Sequence, residues 1–217
     1  MAKKSTSAKP DITAAYIDHL LSHGKRPVTV YRFCRDLGIK ESEFYQIAGS
    51  FAALENKIWA GRMEEAVTRV KNDSNYASFS AREKVLAIYF TLLEELNQHR
   101  SFFLLTGSFD KLPKSLPSSM RDFQKAFALF VEEVMSEGKA SGEIATRPIL
   151  DQQYPKLFSL HLQMLLQYWA KDESAGFEQT DAFIEKSVNL AFDLIAKGAL
   201  DSALDLAKFL FKEKSMF

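Results

Sequence analysis

Seven side chains between residues 29 and 45 could grip an anionic polymer: Thr29, Arg32, Arg35, Lys40, Ser42, Glu43 and Tyr45. Arginine and lysine attract phosphate oxygens, which supply most of the affinity in nucleic-acid binding. Serine and tyrosine hydroxyls add shorter-ranged hydrogen bonds, and a glutamate can accept one from cytosine N4 in a major groove. Lys25, Arg26 and the lysines of the opening stretch "MAKKSTSAKP" add positive charge nearby. Opposing them, Glu41 and Glu43 sit within the same short segment as Ser42 and Tyr45.

A second set of residues is apolar. Phe102, Phe103, Phe123, Phe127, Phe130, Met164 and Tyr168 could line a cavity for a hydrophobic small molecule, with His161 and Gln167 as polar groups that fix its orientation. The same phenylalanines at helical spacing also suit a plain packed core. No catalytic or metal-binding set emerges. His19, His23, His99 and His161 share no ligand spacing with Asp, Glu or Cys. Cys34 lacks both a resolving partner and an activating base. With no nucleophile elbow or phosphate loop either, the reading is of a protein that is not an enzyme and needs no cofactor.

The elements that must carry these residues read as helices throughout, so the expected fold class is all-α. A first helix runs from about Asp11, its N-cap, to Ser22, and Gly24 stops it. Short helices follow at about Val30–Leu37 and Glu41–Ile47, separated by Gly38, and Gly49-Ser50 precedes a long helix from about Ala52 to Lys71. The polar run "NDSNYASFS" reads as a loop, and Ser80 with Glu83 has the spacing of a capping box for the next helix. Residues 100–113 read as a broken aromatic segment, and a further helix from about Ser118 is expected to end at Gly138. Residues 154–169 and 183–195 are apolar on nearly every side, which predicts one face in the core and the other against a second copy. A final amphipathic helix is expected at about Leu200–Lys214.

Bulk properties fit this outline. The chain has 217 residues, enough to bury a sizeable core without a metal or disulfide. Its 28 basic and 28 acidic residues balance, but unevenly: residues 1–40 carry a surplus of five positive charges and the rest a matching deficit. A basic end on an acidic body suits a small nucleic-acid-binding head on a ligand and dimer domain. The lone cysteine and the lack of any apolar run approaching ~20 residues point to a cytoplasmic location, with membrane insertion not expected.

From Ile12 to Trp59 the chain resembles the TetR family of bacterial transcriptional regulators. "VTVYRFCRDLGIKESEFYQIAGSFAAL" stands where the family typically has a Thr-Val pair, an Ile-Ala pair, Ala-Gly-Val-Ser, an aromatic-Tyr pair and Ser-Lys-Glu-Ala-Leu. The resemblance implies a flexible basic arm at 1–10, a helix-turn-helix head at 11–60 and a helical ligand-binding and dimerisation body at 61–217. It also implies a homodimer, formed through helices near 154–170 and 180–197, that binds palindromic operator DNA and is released by a small ligand. Several positions depart from the pattern: Lys40 replaces the usual serine cap, Ser42-Glu43 replaces Gly-Thr, and Phe51 replaces a phosphate-reaching lysine. These departures keep a second function open, a TetR-like fold that has given up DNA and binds lipids or small molecules, with the C-terminal amphipathic segment at a membrane.

Overall fold

In the computed structural model, residues 10–107, 109 and 117–196 are described. The expected basic arm, apart from Pro10, and the expected helix at Leu200–Lys214 lie outside these residues. Helix α1 (Ile12–His23) starts where the Asp11 carboxylate accepts the backbone N–H groups of Thr13 and Ala14, at 2.8 and 3.1 Å. Helix α2 (Val30–Leu37) is capped by the Thr29 hydroxyl, which accepts the Arg32 N–H at 3.1 Å. Gly38 then adopts φ 70°, a left-handed conformation that a side chain would oppose, and the chain turns into α3 (Glu41–Ile47). Ser50 caps α4 (Phe51–Lys71), which begins one residue before the sequence suggests.

The head closes around aromatic rings. Tyr16, Phe33 and Phe44 are buried. Phe51 stacks on Tyr16 at 5.2 Å and meets Phe33 and Phe44 edge-on at 5.6 and 5.3 Å. Phe51 therefore packs its side chain inward among these rings.

The body holds α5 (Ala81–Asn97), α6 (Arg100–Gly107), α7 (Arg121–Ser141), α8 (Pro148–Asp151), α9 (Tyr154–Lys171) and α10 (Glu178–Ile195). The capping box at the start of α5 forms as expected: the Ser80 N–H donates to Glu83 at 2.7 Å, and the Glu83 N–H donates to the Ser80 hydroxyl at 3.2 Å. Two expectations need correction. The segment read as broken contains α6, because Phe102 and Phe103 bury side by side on one helical turn. Helix α7 starts at Arg121 after a 3₁₀ turn (Ser118–Met120) and passes through Gly138 to Ser141, ending at Gly142 with φ 80°. Gly138 is no breaker; a Cβ there would lie 2.8 Å from the Ala81 Cβ and 2.7 Å from Ile144 Cδ1, so its smallness lets α7 approach the start of α5.

Helix α4 runs unbroken across residue 60, the expected boundary, and packs against α5 and α7. Among the described residues there is no strand, only an isolated bridge between Ile144 and Ala196, and no helix is long and apolar enough to cross a membrane.

Candidate nucleic-acid interface and ligand cleft

Helix α3 presents its outer face by simple periodicity. Phe44 points into the head and is fully buried, which leaves Ser42, Tyr45 and Gln46 exposed on the opposite side. Glu41 and Glu43 are only half-exposed. The Glu43 carboxylate folds back to accept the Lys40 backbone N–H at 2.9 Å, so it caps the helix start, where a negative charge also suits the helix dipole. Glu43 is thus drawn back to the helix start, while Glu41 lies one turn before Tyr45. Gln46 was missed by reading the sequence, although its position four residues after Ser42 places it on the same face.

At the other end of α3, the Lys57 ammonium donates to the Ile47 carbonyl and ties the short helix to α4. Thr29, Arg32 and Arg35 all sit on or before α2, and Lys40 precedes α3; each is exposed. Their availability differs. The Thr29 hydroxyl is engaged as a cap, and Arg35 pairs with Asp36 at 3.0 Å. Exposed Tyr31 and Val28 border the same surface and were not singled out from sequence.

Arg26, expected to add positive charge for DNA, is instead committed internally. Its guanidinium grips the Glu55 carboxylate with two hydrogen bonds at 2.8 and 2.5 Å, and the Tyr16 hydroxyl donates to the same group at 2.6 Å. Glu55 is 1% exposed, and this triad links α1, the loop before α2, and α4. Burial and the adjacent Glu55 carboxylate push the Tyr16 hydroxyl pKa well above its ordinary value. Cys34 is buried, and burial raises its thiol pKa, as fits a packing role. His19 and His23 stack on each other at 4.2 Å, and among the described residues no cluster of three metal-ligating side chains forms.

The aromatic residues expected to line a cavity are distributed differently. Phe102, Phe103, Phe123, Phe127 and Phe130 lie in the packed core, at 0 to 2% exposure. Trp59 of α4 sits among them, 4.6 Å from Phe103 and 5.2 Å from Phe123, with its indole N–H donating to Thr106 at 3.0 Å. Met164 and Tyr168 face outward at 44% and 38%, and Gln167 is half-exposed. They share the outer face of α9 with Leu157 and Leu160, and α10 adds exposed Leu190 and Leu194. The two-sided apolar character expected of these helices is therefore present, one side in the core and one side open.

Two of the predicted ligand residues border cavities: Tyr168 lines an open groove of about 430 Å³ with Phe183 and Leu190, and His161 lines a more apolar cleft. That cleft, of about 290 Å³, lies between α8, α9 and α10. Tyr154, Leu157, Phe158 and His161 line it from one face of α9, and Ala191, Leu194 and Ile195 from one face of α10, with Leu150 of α8 at the end. His161 bridges two hydroxyls, that of Tyr89 at 2.9 Å and that of Ser187 at 2.8 Å, and burial lowers its pKa. Arg147, just before α8, donates to the carbonyls of Ile195 and Ala196 at 2.8 and 3.0 Å and ties α8 to the end of α10. A larger groove of about 720 Å³ has a mixed lining that includes Tyr76, Phe79, Lys84 and Glu137, and the buried Lys84 ammonium there is already paired with Glu137 at 2.6 Å.

Comparison with known proteins supplies the family context. Residues 84–210 match the family described as tetracyclin repressor-like, C-terminal domain. The chain is similar in fold to the fatty acid degradation regulator FadR from Bacillus halodurans, with a TM-score of 0.60 and 16% identity over 87% of this chain and 97% of that one. It is also similar to a candidate tetR family transcription regulator from Shewanella sp. PV-4, with a TM-score of 0.56 and 16% identity over 86% and 97% of the two chains. Among curated protein sequences, none matches.

Proposed function

The chain belongs to the TetR family of transcription regulators, and from that premise we propose that it is a homodimeric repressor that binds palindromic operator DNA and is released by a small apolar ligand. The observation that carries the reading is the outer face of α3. Ser42, Tyr45 and Gln46 project from a helix held between the Gly38 turn and the Lys57 tie, with the Glu43 carboxylate folded back as its cap. Tyr45 and Gln46 would meet base edges or the backbone, while Lys40 and Arg32 reach phosphates from either side. Ser42 and Thr29 contribute hydroxyl contacts, Arg35 a cation shared with Asp36, and Glu43 holds the helix start. In this proposal residues 11–60 form the head and 61–217 the body, with α4 common to both. TetR-family regulators are in general non-enzymatic, and the proposal contains no catalytic step.

The test is binding of the purified full-length chain to its own promoter region at two salt concentrations. Sequence-selective binding that weakens steeply with salt is expected. Tyr45→Ala and Gln46→Ala, both at exposed positions, should each lower operator affinity about tenfold while leaving folding unchanged. Binding that shows no sequence preference at low salt, or variants that bind as tightly as the parent, would overturn the operator reading.

A further inference from the structure

Helix α3 carries no cation. Its outward side chains are Ser42, Tyr45 and Gln46, with Glu41 half-exposed one turn before Tyr45. In a major groove the commonest specific contact is arginine or lysine donating to O6 and N7 of guanine, and α3 lacks that group altogether. Gln46 is exposed, and its amide both donates and accepts, which matches the N7 acceptor and N6 donor of adenine. Glu41 is an acceptor only. The two glutamates of α3 also have separate duties. Glu43 accepts the Lys40 N–H and holds the helix start, whereas among the described residues no hydrogen bond or ion pair engages the Glu41 carboxylate. Cations elsewhere in the head are drawn to other partners, Arg35 to Asp36 and Arg26 to Glu55. A carboxylate brought against base edges loses water and is repelled by the phosphates, unless a base amino group faces it. Guanine and thymine present acceptors in the groove. Adenine presents a donor beside an acceptor, and cytosine presents its N4 donor alone, so cytosine suits a bare carboxylate best.

We propose that α3 reads its half-site without a cation: Gln46 pairs with an adenine, and Glu41 selects a cytosine by rejecting the bases that face it with acceptors. Such selection works by penalising wrong partners as much as by rewarding the right one. The two residues are five positions apart, ~7.5 Å along the helix axis, so with α3 lying along the groove their bases are about two steps of ~3.4 Å apart. The head then divides its labour. Lys40 and Arg32, which lie outside α3, supply charge that carries no sequence information, and α3 supplies sequence selection without charge.

This base assignment rests on reading the chain as an operator-binding regulator, and one experiment separates the two. The full-length protein selects sites from a pool of random duplexes, and the enriched sites are compared with those selected by Glu41→Gln and by Gln46→Glu. Both changes keep the size of the side chain at positions open to solvent, so helicity by circular dichroism should match the parent. Glu41→Gln should replace a C·G pair of the parent's half-site by an A·T pair, and should bind random duplex several-fold more tightly because a repelling charge is gone. Gln46→Glu should make the reverse exchange at a second position, about two steps away. Each substitution should cut the ratio of affinity for the parent's site over random duplex about tenfold. A parent that enriches no sequence overturns the operator reading and the base assignment together. A parent that enriches a site, with either exchange missing from the variants, leaves the operator reading standing and overturns the base assignment, since the side chain concerned then acts on affinity alone.

Discussion

Arg26 and Lys25 are adjacent, both exposed and both basic, yet they serve different ends. Lys25 faces solvent, whereas Arg26 is anchored on Glu55 in company with Tyr16. Removing the guanidinium leaves a carboxylate buried with only a phenol to hydrogen-bond it, a situation far less favourable than the intact triad. The Arg26 side chain is 52% exposed, which lets water moderate the loss. Arg26→Ala should therefore destabilise the protein by about 2 kcal/mol, and Lys25→Ala by less than about 0.5 kcal/mol, as read from urea unfolding. Equal midpoints for the two variants would show that the triad contributes nothing. The sequence could not separate this pair, since the partner lies 29 residues away on α4. Phe51 was obscure for the same reason: only the folded head shows it stacked on Tyr16.

At the scale of elements, what could be read locally was read well. Asp11, Thr29, Ser50 and the Ser80–Glu83 box cap their helices through bonds spanning two or three residues, and Gly24 and Gly38 end theirs with left-handed backbone angles. Such signals live within one turn of chain, so the sequence contains them whole. Gly138 shows the opposite case. A glycine inside a helical pattern suggests a stop, but Ala81 comes from another helix and Ile144 folds back from just beyond the end of α7, and the space they leave requires the absence of a Cβ. Gly138→Ala tests this directly. On helix propensity alone the change should stabilise α7 by up to about 1 kcal/mol, whereas the contacts at 2.7 and 2.8 Å mean that α5 and α7 must part. Overpacking should win, with a net loss of about 1–3 kcal/mol in thermal or chemical unfolding. A variant more stable than the parent would return Gly138 to the role of a mere helix interruption.

Across the whole molecule, the apolar character of α9 and α10 was legible because it shows in composition, but the cleft they form with α8 was not. Its walls are drawn from residues between Leu150 and Ile195 and depend on how three helices cross. Composition also leaves undecided which side of each helix meets the core. The fold decides it: Leu162, Leu165, Leu166, Ile184 and Val188 go inside, and Leu160, Met164 and Leu190 stay out at 45, 44 and 61% exposure. An open row of this kind is unfavourable in water unless another surface covers it, and a second copy related by a twofold axis offers an identical row. Glutamates at Leu160 and Leu190 would place like charges against each other or against apolar surface across that axis, while costing little in the isolated chain because both positions are exposed. The paired substitution Leu160→Glu with Leu190→Glu should thus reduce the mass in sedimentation equilibrium from a dimer to the 24.6 kDa of one chain, with helicity by circular dichroism unchanged. Operator binding should weaken in step, since a single head keeps only half of the phosphate contacts. A species that stays dimeric with both carboxylates in place would move the interface to another face of the body.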